Sequence, residues 1–211
     1  MINAFRFSIP FILFLLLLSS ACTKRLPVNF LAPNIGVSST KLDAELKSLT
    51  VSIASPDEAT GEIRPFSFVR PYGEFQPYPV SLYAGLWKTA LEEAFNRMVI
   101  FKDDSPKKVS LAVKILKFDT RYFPTTHTSA RYEIIDRSSG SIIFTTDIST
   151  SGEGPFRVDP FCAMCAIGSR QVDGINRSVQ NNIIEFVQHF QTHAKTNIPA
   201  IEKLDQDYHG D

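Results

Sequence analysis

Two rhythms of apolar and polar residues run along this chain, and together they predict its elements. Leu49, Val51 and Ile53 alternate with Thr50, Ser52 and Ala54, the period of a half-buried strand. Leu82, Leu86, Ala90, Leu91, Ala94, Phe95 and Met98 recur at helical spacing behind Ser81, a residue suited to the N-cap, with Trp87 at the margin of that stripe. Val109, Leu111, Val113 and Ile115 then alternate against Ser110, Ala112, Lys114 and Leu116. Thr128 to Asp136 and Ser141 to Thr150 read as a hairpin around Arg137-Ser138-Ser139-Gly140, with Tyr132, Ile134, Phe144 and Ile148 on its apolar side and Arg131, Glu133, Thr145 and Asp147 facing away. A last helix is expected from about Asp173, its stripe formed by Ile175, Val179, Ile183, Phe186, Val187 and Phe190. The order β-α-β-β-β-α, with one apolar face per strand and one stripe per helix, predicts an α+β fold. The expected form is a two-layer sandwich of a four-stranded mixed sheet with two helices on one face.

The ends of the chain follow different patterns. Behind Arg6, an apolar run from Phe7 to Leu18 is interrupted by Pro10 and closes on Ser19-Ser20-Ala21-Cys22. At about a dozen residues it is far short of the roughly 20 that a spanning helix needs, so it reads as a lipoprotein signal over residues 1–21, cleaved before Cys22, with an ordinary secretory signal cleaved near that cysteine as the alternative. Cys22 would then carry the lipid, and several acyl chains make attachment effectively permanent. Residues 22–46, with Pro27, Pro33, Asn34, Gly36, Ser38 and Ser39, read as a lipidated terminus and tether. The domain is expected over 47–190, followed by a mobile tail over 191–211.

Topology suggests where the domain works. A right-handed crossover makes the first two strands parallel, and two hairpin steps then send the fourth strand the same way. Three long connections, Pro56 to Pro79, Phe118 to His127 and Ser151 to Val172, therefore leave one edge of the domain, opposite the tether. Long connections are disproportionately functional. Phe66, Phe68, Tyr72, Phe75 and Tyr78 are interleaved with Pro65, Pro71, Pro77 and Pro79, which presents rigid rings at low entropy cost. Core cover and partner contact are both expected, for different rings; the partner surface is expected to join Phe66, Phe68, Tyr72 and Phe75 with Tyr122, Phe123, Phe161 and Met164.

Charge and cysteine count narrow the classes. The 22 basic residues balance 22 acidic ones, and Lys107-Lys108 is the only basic doublet in the folded region, so no strong basic field points to nucleic acid or anionic headgroups. With Cys22 spent on lipid, Cys162 and Cys165 remain as a pair in an oxidising compartment, and a structural disulfide in a loop ahead of the last helix is the expected state. A labile pair, a thiol-disulfide catalyst or half a metal site are the alternatives, and a four-thiolate zinc site would need a second pair. His189 and His193 are four apart, a ligand spacing that still needs a third donor. No nucleophile elbow or phosphate-binding glycine loop is present, so no catalytic residue, metal or cofactor is expected.

The strand before a long loop, the helix ending near Val99, the Gly140 hairpin, Thr150-Ser151-Gly152 closing the last strand and Asn181-Asn182-Ile183 in the final helix give the region from Leu49 to Phe190 a family likeness. It resembles the small outer-membrane lipoproteins of Gram-negative bacteria, the YajG-like proteins and, more remotely, the auxiliary lipoproteins of envelope lipid transporters and the lipopolysaccharide-assembly lipoprotein. The resemblance implies a binding or scaffolding accessory on the periplasmic face of the outer membrane, held by its lipid and partnered by an envelope protein or lipid, without enzymatic activity. Thr23, rather than aspartate, after the lipidated cysteine fits outer-membrane retention. A thiol-disulfide protein and a passive structural lipoprotein are the alternatives.

Overall fold

The computed structural model describes residues 32–33, 42–63, 67–69, 75–77, 80–120, 124–156 and 163–197. Its elements are β1 (Glu45–Ile53), β2 (Ser67–Val69), β3 (Phe75–Pro77), α1 (Val80–Met98), β4 (Lys108–Asp119), β5 (Thr125–Asp136), β6 (Ile142–Glu153) and α2 (Ala163–Asn197). A four-stranded sheet runs in the order β1-β4-β5-β6, with β1 parallel to β4 and the other neighbours antiparallel, the directions expected from the crossover and the two hairpin steps. Both helices pack on one face, and the core between the layers holds Leu111, Val113, Ile115, Tyr132, Ile134 and Ile148 from the sheet against Trp87, Leu91, Ile175, Val179, Ile183 and Phe186 from the helices.

Four particulars depart from the sequence pattern. First, the stripe of α1 is rotated: Leu82 is exposed, whereas Tyr83 and Trp87 are wholly buried, so Trp87 belongs to the core and not to its margin. Tyr83 stacks on Phe118 with ring centroids 4.4 Å apart, which explains the turn of the stripe. Second, the β4 register shifts between Ile115 and Lys117; the extra residue reverses the alternation, so that Leu116 is buried where an outward position is expected and Phe118 turns to the core. Third, the stretch from Pro56 to Pro79 contains order of its own. Thr60 and Glu62 exchange backbone hydrogen bonds with Leu116 and Phe118, Ile63 bridges Phe118, and β2 and β3 form an antiparallel ribbon. Fourth, α2 begins ten residues before Asp173 and runs on to Asn197, beyond Phe190 where the apolar stripe stops.

That early start moves the cysteine motif. Cys165 stands in the first turn of α2 rather than in a loop ahead of it, while Cys162 lies outside the described residues. At the other boundary Leu42 and Ala44 are part of the core, and Leu42 donates its backbone N–H to the Ile100 carbonyl, so the packed domain starts before residue 47. Val99, directly after α1, adopts a φ of 49°, the left-handed conformation that usually closes a helix on glycine. The turn it makes delivers Ile100 into the core.

Candidate interaction surface

Strand directions decide which end of the sandwich carries the connections. β1 is parallel to β4, and β6 reaches the same direction through two antiparallel steps, so the chain leaves Ile53, Asp119 and Glu153 at one end. The extra length of β4 and β5 leaves only residues 120–124 between them, shorter than the connection expected from Phe118 to His127. Both helices begin at this end, and the chain enters β1 at the other, where Glu45 pairs with Lys108.

At the loop end α2 comes unusually close to β6. A Cβ built on Gly152 would sit 2.2 Å from the Ser178 nitrogen and 2.5 Å from the Gly174 carbonyl oxygen, and one on Gly154 would sit 1.9 Å from the Arg170 carbonyl oxygen. Only glycine admits that approach. Arg170 uses it: its Nε donates to the Gly154 carbonyl at 3.0 Å, its guanidinium pairs with Glu153 at 2.5 Å, and its Cζ lies 5.6 Å from the centre of the Phe156 ring. Phe156 is nevertheless 75% exposed and Ile167 46%, with Leu82 also exposed at the start of α1. These three are the apolar side chains that the described part of the loop end offers to solvent.

The rings expected there fall differently. Phe68 lies in β2, where it pairs with Gln76, and Phe75 lies in β3 opposite Val69. Met164 is in the first turn of α2. Phe66, Tyr72, Tyr122, Phe123 and Phe161 lie outside the described residues, as does Cys22 with the whole signal. Phe156, Ile167 and Arg170 were not singled out by sequence, although Phe156 sits among the polar and glycine residues of a predicted long connection and could have been weighed with the other rings.

Beneath this end runs a buried polar seam that apolar patterning passes over. The Trp87 indole N–H donates to the Tyr132 hydroxyl at 3.3 Å, and that hydroxyl donates to Asn182 Oδ1 at 2.8 Å. Asn182 Nδ2 donates to the Ile148 carbonyl at 3.0 Å and to Thr150 Oγ1 at 3.3 Å. One turn earlier on α2, Ser178 Oγ lies 2.9 Å from Thr128 Oγ1, and the Ser178 carbonyl accepts from Thr150 Oγ1 at 2.9 Å. Asn182, Ser178 and Tyr132 are fully buried, so these bonds fix the helix on the sheet at one register. Burial drives the Tyr132 hydroxyl well above the ordinary tyrosine range and keeps it a neutral donor.

The opposite face of the sheet is polar. Arg131 clamps Asp147 in a bidentate pair, Nε to Oδ1 at 2.7 Å and a terminal nitrogen to Oδ2 at 2.8 Å, which holds the carboxyl below its usual range. Ser48 bonds Ser110 and Ser149 bonds Ser129 across neighbouring strands. His189 Nδ1 lies 3.5 Å from Thr146 Oγ1, and the His193 ring sits 4.9 Å from that of Phe144, so both imidazoles lie against β6. Among the described residues no three His, Cys, Asp or Glu side chains gather where they could hold a metal ion, and no helix is long and apolar enough to cross a membrane.

No protein-family model matches this chain, and no curated protein matches it. Among solved structures it is similar to a Xanthomonas campestris protein of the DUF330 family, at 13% identity and a TM-score of 0.46 over 80% of this chain and 97% of that one. A Caulobacter crescentus protein described as a candidate lipoprotein is 17% identical, with a TM-score of 0.33 over 52% of this chain and 80% of that one. A Helicobacter pylori homologue of a neuraminyllactose-binding hemagglutinin is 15% identical, with a TM-score of 0.36 over 81% and 98%. Likeness at this level transfers no function.

Proposed function

We propose that this protein is a lipid-anchored accessory of the bacterial envelope, held through Cys22 on the periplasmic face of the outer membrane, which works by binding a protein or lipid partner at its loop end rather than by catalysis. The observation that supports this reading is the opposition of the two ends: the chain arrives from the Cys22 side at the Leu42 to Glu45 end, whereas both helix starts and the exposed Phe156 and Ile167 lie at the other. A domain so tethered presents its apolar side chains away from its own bilayer. Mass spectrometry of the mature N-terminus tests the anchor, and an unmodified terminus elsewhere refutes it. In-cell crosslinking followed by pull-down tests the binding role; polar replacements at Phe156 and Ile167 are expected to reduce the crosslinked species at unchanged protein level.

One observation favours a second reading. α2 starts at Ala163, directly after Cys162, with Cys165 in its first turn, and a helix N-terminus is where a thiol's pKa is lowered. A thiol-disulfide protein would have free thiols in the periplasm and reduce insulin, and Cys162→Ser would abolish its phenotype at normal protein level.

A further inference from the structure

Sequence disperses the basic residues, but the fold gathers four of them. Lys47 from β1, Lys107 and Lys108 at the start of β4, and Arg137 from the β5-β6 turn line a hollow of about 350 Å³, together with Pro106, Asp136 and Ser138. Backbone bonds set its walls: Glu45 N–H donates to the Lys107 carbonyl at 2.8 Å and Arg137 N–H to the Lys108 carbonyl at 3.0 Å. Two anions answer the four cations. Glu45 pairs with both Lys47 and Lys108, and Asp136 accepts from the Ser138 backbone N–H and hydroxyl, which with Lys107 nearby hold it ionised. Lys107 and Arg137 make no ion pair among the described residues, which leaves an excess of two positive charges around a concave surface. That balance suits a phosphate monoanion or diester better than a carboxylate-rich protein, whose many charges would exceed it.

We infer that this hollow receives the phosphate of an anionic lipid headgroup in the bilayer that carries the anchor. The inference rests on the proposed lipidation at Cys22. The hollow lies at the end of the domain where the chain arrives, beside Glu45, and the stretch from Thr23 to Lys41 reaches at most roughly 70 Å when fully extended, so the anchored bilayer is the one phosphate-rich surface held constantly within range. Juxtamembrane cations are attracted to anionic leaflets within a Debye length. Bound this way, the domain would stand with its loop end pointing outward instead of swinging on its tether.

The test uses the full-length protein reconstituted on vesicles of phosphatidylcholine alone or mixed with phosphatidylglycerol, with amide exchange followed at Ser105, Lys107 and Lys108 and at residues 136–140. Anionic vesicles are expected to slow exchange in both segments several-fold, at roughly fivefold occupancy per cation. Lys107→Gln with Arg137→Gln should abolish the slowing, and Lys88→Gln on the exposed face of α1 should leave it. Equal exchange on both vesicles, or slowing that survives the double variant, overturns the proposal. Equal slowing by inorganic phosphate on neutral vesicles assigns the hollow to a free anion and overturns the headgroup as its source. N-terminal mass spectrometry of the same sample reports the anchor separately; where it is absent, the comparison is repeated with protein added to preformed vesicles, so that the two ideas fail independently.

Discussion

Asn182→Ala removes the residue on which the buried seam converges, and its cost can be worked from the geometry. The side chain is completely buried, accepts the Tyr132 hydroxyl, and donates to the Ile148 carbonyl and the Thr150 hydroxyl. Alanine leaves the tyrosine O–H and the Ile148 carbonyl without these partners in a dry interface, at roughly 1 to 3 kcal/mol for each group. A small void adds to that, so the expected loss is about 3 to 5 kcal/mol, or on the order of 10 °C in melting temperature for a domain of this size. Its neighbour Asn181 is the internal control: it is exposed and makes a single bond, Nδ2 to the Ser151 carbonyl at 2.9 Å, so Asn181→Ala should cost about 1 kcal/mol or less. Urea unfolding followed by circular dichroism measures both, and a cycle with Tyr132→Phe should give a coupling above about 1 kcal/mol, because the two residues share a bond. If Asn182→Ala costs no more than Asn181→Ala, the seam does not hold α2 on the sheet and the reasoning fails.

Other outcomes follow from backbone and charge. Gly152→Ala should destabilise by several kcal/mol, since its methyl would meet backbone of α2 rather than a movable side chain, whereas Gly85→Ala, with nothing within 4 Å, should stabilise by about 0.5 to 1 kcal/mol; thermal melts separate the two. Val99→Gly should also raise stability by about 1 kcal/mol by relieving the left-handed conformation at a β-branched residue. The Arg131 hydrogen bonds hold the Asp147 carboxyl below its ordinary range, so its contribution is present above the ordinary aspartate pKa and lost as pH falls through the lower folded value; Asp147→Asn should therefore show a smaller stability drop than the parent between neutral pH and the acid side of that value. An unchanged acid dependence in that variant would count against the Arg131 clamp.

Most of the sheet could be read from alternation because each strand buries one face, and the parallel first pair followed from the crossover rule. What escaped that reading has local physical causes. The extra residue at Leu116 breaks parity inside one strand, and no two-residue period can announce it. Trp87 looked marginal because helical spacing set it beside the stripe of Leu82, Leu86 and Ala90, and the partner that lets its indole N–H be buried, Tyr132, is 45 residues away in sequence. Asn182, Ser178, Thr128 and Thr150 belong to none of the apolar stripes or faces read from the sequence; only together do they satisfy one another. The helical stripe begins only near Asp173, so it could not announce the earlier turns of α2, where Ile167 meets solvent, nor the turns that run past Phe190. The four cations of the hollow come from three segments spanning 90 positions, so local charge counting missed them.

The contacts between α2 and β6 also decide what happens when the domain loosens. β6 is the last strand of the sheet, twelve residues long, with no proline and no lysine to discourage another strand from pairing with it. Carbonyls of Ile148 and Ser151, three residues apart, point to opposite sides of that strand, and both are taken by asparagines of α2, so the helix occupies hydrogen-bonding positions on the outer edge as well as the inner one. α2 thus covers part of that margin, and it follows β6 in the chain. During synthesis and folding the strand exists before its cover does, which makes partly folded molecules prone to stack edge to edge. Light scattering should accordingly rise earlier in the unfolding of Asn182→Ala than in that of a core variant of equal stability, and equal onset would show that the helix shields nothing.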